Sequence, residues 1–241
     1  MARSDGREPQ DLRPVSFQRH FTRHAPGSVL ASFGRTQVLC TAMVTDGVPP
    51  FLQGRGQGWL TAEYSMLPSA TDSRKARDRT GRVDGRSVEI QRLIGRALRS
   101  VVELQKMTER TVWIDCDVLQ ADGGTRTTAI SGAWVALHDL LAHMDSKRLL
   151  RAWPLRSQLA AVSVGVVDGA PLCDLAYEED SRAHTDMNLV MTGEGRFIEV
   201  QGSAEGAPFS REELDAMLEL GSGAIRRIFE IQKAALGLEA S

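Results

Sequence analysis

The chain has 241 residues, 42% of them hydrophobic and 25% charged, the composition of an ordinary soluble globule able to bury a sizeable core. A net charge of −2 gives no global attraction to nucleic acid, so any such affinity has to come from local clustering. No apolar run approaches the roughly 18 residues of a membrane span, and the polar start MARSDGREPQDLRP has no signal-peptide core, so no membrane partner and a cytoplasmic location are expected.

The first dozen or so residues read as a polar arm. SVLASF (28–33) and TQVLCTAMVT (36–45) flank Gly34-Arg35 and read as a hairpin. WLTAEYSM (59–66) alternates, with Leu60, Ala62, Tyr64 and Met66 on one face. TVWIDCDV (111–118) does the same with Val112, Ile114, Cys116 and Val118. Between them, Ile90, Leu93, Ile94, Ala97, Leu98, Val101 and Val102 recur at helical spacing. A second helix is expected from about 127 to 143, with Ile130, Ala133, Trp134, Leu137, Leu140 and Leu141 facing inward. Trp153-Pro154 marks a break, so a boundary is placed near residue 151, dividing the chain into 1–151 and 152–241. Strands are expected near 159–167, 170–175, 187–193 and 196–201. A capping box at Ser210–Glu213 then opens a helix reaching about Leu236, which Gly221 and Gly223 weaken and could split. The class is α/β with two mixed sheets. Cys40, Cys116 and Cys173 lie far apart in apolar runs and read as buried free thiols.

Four constellations bear on chemistry. In ADGGTRTTAISGAW (121–134) a glycine turn joins a strand to a helix, which puts open backbone N–H groups and the positive helix end at Gly124–Thr125. Thr125 adds a hydroxyl, and Arg126 a fork for a bidentate phosphate contact; the same spacing also suits a merely tight turn. In SRKARDRTGRVDGR (73–86), Arg74, Lys75, Arg77, Arg79, Arg82 and Arg86 face only Asp78 and Asp84. This is a solvated surface loop or a nucleic-acid backbone contact, and Arg86, at a helix start, is placed to share an anion with Arg126. In CDLAYEEDSRAHTDMN (173–188), Asp174, Glu178, Glu179, Asp180 and Asp186 crowd together and repel unless a hard cation or an arginine intervenes. Asp180 and Asp186, at two ends of a short loop, suit Mg²⁺, which typically uses one or two carboxylates plus substrate phosphate; the bland reading is an acidic surface turn. The pairs His20/His24 and His138/His143 lack any accompanying zinc or nucleophile motif and read as surface or capping residues. An anion cradle, an arginine loop and a carboxylate cluster together suit chemistry at a phosphodiester.

LRPV (12–15), GSVL (27–30), GWLTAEYSMLPSAT (58–71), EIQRLIGRALR (89–99), DCDVLQADGGTRT (115–127) and EDSRAHTDMN (179–188) resemble the ribonuclease PH family, its bacterial members closely, over nearly the whole chain. With no KH or S1-like extension, the chain looks like the single-domain enzyme rather than polynucleotide phosphorylase. The resemblance implies the ribosomal protein S5 domain 2-like (RNase PH) fold in two subdomains. It implies a phosphorolytic 3′→5′ exoribonuclease, a nucleotidyltransferase in reverse, which trims the 3′ extension of precursor tRNA and other RNAs and releases nucleoside 5′-diphosphates. Mg²⁺, inorganic phosphate as co-substrate and a homohexamer built as a trimer of dimers come with it. Carried over by position, Arg86, Gly124, Thr125 and Arg126 match the phosphate site. Asp180 and Asp186 match the metal or acid–base carboxylates, and Arg74, Lys75, Arg77, Arg79 and Arg82 the loop that touches tRNA. A non-catalytic RNA-binding ring subunit of exosome type is the alternative; a hydrolytic nuclease fits less well, since water needs no arginine clamp.

Overall fold

In a computed structural model that describes residues 3–77, 84–205 and 208–238, the chain forms two sheets and four α-helices within those residues. The first sheet contains β1 (Val15–Arg19), β2 (Gly27–Phe33), β3 (Thr36–Asp46), β4 (Trp59–Met66) and β5 (Arg110–Gln120) in the order β1-β2-β3-β5-β4. Its single parallel pair, β4 with β5, is joined by α1 (Gly85–Ser100), the long crossover that parallel strands require. Of the expected alternations, Leu60, Ala62 and Tyr64 on β4 and Val112, Ile114, Cys116 and Val118 on β5 are buried, while Met66 at the end of β4 is half-buried. β1 was not anticipated. It carries only Val15 and Phe17 as apolar residues, too short an alternation to stand out from the polar sequence before it.

The second sheet, β6 (Leu159–Val167), β7 (Ala170–Cys173), β8 (Thr185–Thr192) and β9 (Phe197–Ala204), has the order β7-β6-β8-β9 and is antiparallel throughout. Helix α2 (Thr125–Ser146) lies between the sheets, packed on β2 and β3 on one side and β6 on the other. Most of its residues are buried, as a helix apolar all round must be. Truncating a fully buried side chain such as Leu140 should cost about 2–5 kcal/mol.

Helix α4 (Arg211–Leu236) opens on the expected capping box, Ser210 Oγ accepting from Glu213 N–H, and covers β6, β7 and β1. It is not split at Gly221. A Cβ there would lie 2.2 Å from Leu189 Cδ1, so this glycine lets the unbroken helix approach β8 closely. All three cysteines are free and buried. Burial pushes the Cys173 thiol up to about 12, which leaves it protonated and inert. Among the described residues no helix is long and apolar enough to cross a membrane.

Candidate active site

The cradle begins where β5 ends. Gly123 and Gly124 both take positive φ, +76° and +63°, and Gly124 caps α2. No side chain caps the first turn of α2, which leaves its N–H groups open to an anion. Thr127 and Thr128 turn their hydroxyls back to the Gly124 carbonyl, at 2.9 Å each. Thr125 is buried and accepts a 2.9 Å hydrogen bond from the Tyr64 hydroxyl, which fixes it from beneath. Burial holds the Tyr64 phenol above its ordinary range, so that hydroxyl stays a donor. Gly123 allows a close approach: a Cβ would fall 2.4 Å from the Leu175 carbonyl oxygen and 2.9 Å from Tyr177 N. The cradle thus abuts the acidic segment directly.

Arg86 and Arg126 occupy the second positions of α1 and α2. Arg86 is exposed, and its backbone N–H is received by the capping Asp84 carboxylate. Arg126 is held more firmly, its Nη1 donating to Glu89 Oε1 at 3.2 Å and Gln201 Oε1 at 3.0 Å. Gln201 in turn donates to Glu89, at 3.1 Å. The charges of both arginines pull the Asp180 carboxyl downward, although neither forms an ion pair with it.

The acidic stretch divides in two. Glu179 is buried against Arg3, with Nε and Nη2 at 2.7 and 2.8 Å from its two oxygens, and Arg7 adds a contact at 3.3 Å. Asp174, fully buried and at φ +50°, is gripped by Arg13 at 3.0 and 2.7 Å and accepts Arg13 N–H at 2.7 Å. The polar arm is therefore not free: Arg3 and Arg13 are only 7% and 5% exposed and neutralise these two carboxylates. The sequence reading missed this pairing; LRPV beside a carboxylate surplus was the available signal.

Asp180 closes the single turn α3 (Tyr177–Asp180), and Asp186 is the second residue of β8 and accepts from Ser203 Oγ at 3.2 Å. Among the described residues no arginine forms an ion pair with either member of this second pair. Desolvation and then the neighbouring Asp186 hold the Asp180 carboxyl above the usual carboxylate range, against the pull of Arg86, Arg126 and Arg13. Two mutually repelling carboxylates fit a small hard cation whose other ligands come from substrate phosphate and water. Among the described residues no cluster of three potential metal ligands occurs. His138 instead packs between the rings of Trp134 and Trp153, centroids at 5.8 and 5.3 Å.

A cleft of about 740 Å³ joins these parts, lined by Arg86, Gly124, Thr125 and Asp180. Arg126 and Asp186 are not in that lining. Lys75 of the basic segment also lines the cleft, 3.7 Å from Asp84, while Arg74 and Arg77 are exposed. Arg79 and Arg82 lie outside the described residues. Arg35 and Tyr177, which the sequence reading did not single out, complete the wall.

Residues 11–141 match the sequence model of the 3′ exoribonuclease family, domain 1, and residues 157–224 that of domain 2. The fold is similar to that of rice (Oryza sativa) Rrp46, with a TM-score of 0.76 and 22% identity over 97% of this chain and 100% of that one. A structure of the Archaeoglobus fulgidus exosome with RNA bound to the active site contains a chain similar at TM-score 0.78 and 22% identity, covering 95% of this chain and 92% of its own length. An archaeal exosome core contains another, at 0.75 and 20%, covering 98% and 91%. At such identities these structures establish the shared fold, while the sequence matches establish descent: the chain belongs to the RNase PH family, the 3′ exoribonuclease family, through both of its domains.

Proposed function

We propose that the protein is a phosphate-dependent 3′→5′ exoribonuclease of the bacterial ribonuclease PH type, trimming the 3′ extension of precursor tRNA and other RNAs in the cytoplasm. The observation that carries this reading is the single cleft in which an uncapped helix N-terminus and Arg86 face Asp180. Inorganic phosphate seated on Gly124, Thr125, Arg86 and Arg126 attacks the phosphorus of the last phosphodiester. A new P–O bond forms, the bond to the 3′ oxygen breaks, and that oxygen takes up a proton as the nucleoside 5′-diphosphate leaves. The arginines offset repulsion between two anions, each charge-assisted bond contributing about 1.5–3 kcal/mol. Positioning nucleophile and scissile phosphate supplies the term that dominates phosphoryl chemistry.

Asp180 and Asp186 are the residues that would hold Mg²⁺, which when bound stabilises charge on the transferring group. Asp186 is alternatively the acid for the leaving oxygen. Arg74, Lys75, Arg77, Arg79 and Arg82 form the tRNA contact in this reading, subdomains 1–151 and 152–241 meet at the cleft, and the protomers assemble as a homohexamer, a trimer of dimers.

A second reading, a ring subunit that binds RNA without cleaving it, is favoured by the likeness in fold to exosome chains. An RNA carrying a labelled 3′ nucleotide, incubated with protein and Mg²⁺ with and without phosphate, separates the two. Phosphorolysis releases nucleoside 5′-diphosphate only when phosphate is present. Release of monophosphate regardless of phosphate would mean a hydrolase, and bound but intact RNA the non-catalytic subunit.

A further inference from the structure

Arg35 stands at the tip of the β2–β3 hairpin and is held there from both sides. Gly34, at φ +58°, donates its N–H to the Pro14 carbonyl at 2.8 Å and packs on the Arg13 side chain. Thr36, fully buried, donates to the Gly123 carbonyl at 2.6 Å and accepts the Asp122 N–H at 2.9 Å. The backbone of Arg35 is therefore built into the wall of the cradle loop. Its side chain is exposed, lines the cleft and makes no hydrogen bond or ion pair with any described residue.

Of the other arginines around the loop, Arg13 is buried against Asp174, Arg126 bonds to Glu89 and Gln201, and Arg86 is exposed at the start of α1, the last two being the pair assigned to the inorganic phosphate. The cleft, at about 740 Å³, falls in the range of pockets that take ligands of nucleotide size, ~300–1,000 Å³, rather than one inorganic ion. Arg86 and Arg126 already match the charge of a single phosphate, so a third guanidinium on a fixed tip has an anion of its own to serve. Lys75 lines the same cleft, 3.7 Å from Asp84.

The geometry points to Arg35 as a binding residue for an RNA phosphodiester upstream of the bond that is broken, a subsite separate from the phosphate cradle. This rests on the exoribonuclease reading for its ligand. A backbone contact of this kind carries no base preference and anchors the strand whatever its sequence.

The test compares wild type, Arg35→Ala and Arg35→Lys. A short fluorescent oligoribonucleotide is bound at several salt concentrations with phosphate absent, and the KM for phosphate is measured separately at saturating RNA. Arg35→Ala should weaken RNA binding on the order of tenfold and lower the log–log salt slope by about 0.7, the loss of one phosphate contact on a single strand. Arg35→Lys should restore most of the affinity, and the KM for phosphate should not move in either variant. Unchanged RNA affinity and slope would overturn the assignment. So would a raised phosphate KM alone, which would put Arg35 in the cradle. If wild type bound RNA through Arg35 yet released no nucleotide, the phosphorolysis reading would fail and the subsite would stand.

Discussion

Arg13 holds Asp174 by two guanidinium bonds and one backbone N–H, tying the lead-in to β1 to the turn after β7. A further guanidinium N–H reaches the Asp122 carbonyl, so the same arginine touches the loop that forms the cradle. Both members are buried, and burial here is tolerable because every charge is matched. Asp174→Asn should leave Arg13 with an uncompensated buried charge and destabilise the fold by about 3–5 kcal/mol. Chemical denaturation checks this, and a loss under 1 kcal/mol would show that water solvates the pair.

Glu179 supplies a pH dependence with a definite sign. Burial alone would raise its pKa, but the bonds from Arg3 and the Ala176 N–H, with the charges of Arg3 and Arg7, outweigh it and hold the carboxyl below its ordinary 4.5. A carboxyl depressed in the folded state gives stability that is present above its unfolded pKa and lost as pH falls through the folded one. Stability of the wild type should therefore drop below about pH 4.5, and Glu179→Gln should flatten that part of the curve. Thermal melts from pH 3 to 7 measure it, and parallel curves for the two proteins would contradict the assignment.

Asp180 behaves in the opposite sense. Its carboxyl is raised, so the folded protein binds that proton more tightly than the unfolded chain, and ionisation costs stability as pH climbs through the carboxylate range. Asp180→Asn should raise the melting temperature at neutral pH while abolishing phosphorolysis. Asp186→Asn should bring the Asp180 titration down, read by carbon NMR of labelled aspartates. A melting temperature lowered by Asp180→Asn would mean that the carboxylate is structurally bound rather than held apart for a ligand.

Gly123→Ala adds one carbon at a point where 2.4 Å separates it from the Leu175 carbonyl oxygen, and at positive φ. The backbone must yield, at about 1–3 kcal/mol. The two halves of the cleft would move apart, so the KM for phosphate should rise several-fold more than the KM for RNA. Equal effects on both would locate the damage in general stability.

Arg126→Ala should cost on the order of 10²–10³ in rate, as for loss of one key electrostatic donor. Its partners Glu89 and Gln201 are partly solvated, so the melting temperature should stay within a few degrees of wild type. A near-wild-type rate would remove Arg126 from the reaction.

What the sequence made legible is what depends on near neighbours. The alternation on 59–66 and 111–118, and the glycine turn before Thr125, are local patterns, and each stands at the expected place. β1 was invisible because its two apolar residues acquire meaning only beside β2. Gly221 looked like a helix breaker because Leu189, which explains it, lies on another element. The acidic stretch read as one cluster of repelling charges, yet arginines more than 160 residues away sequester Asp174 and Glu179 and leave Asp180 and Asp186 facing each other. Arg35 was passed over as a turn residue because its significance lies in Asp122 and Gly123, which pair with its neighbour Thr36.

The clasp of Arg3 on Glu179 spans 176 positions, and that of Arg13 on Asp174 spans 161. On the ribosome the amino-terminal residues therefore emerge long before their partners exist. Strands β1 to β5 can pair as they appear, but α2 stays without its cover from β6 until most of the chain has been made. The loop-closure entropy of such distant contacts makes their formation a late and slow event. The lead-in to β1 is therefore fastened, and the cleft takes its shape, only after the segment that carries Asp174, Glu179 and Asp180 has been made.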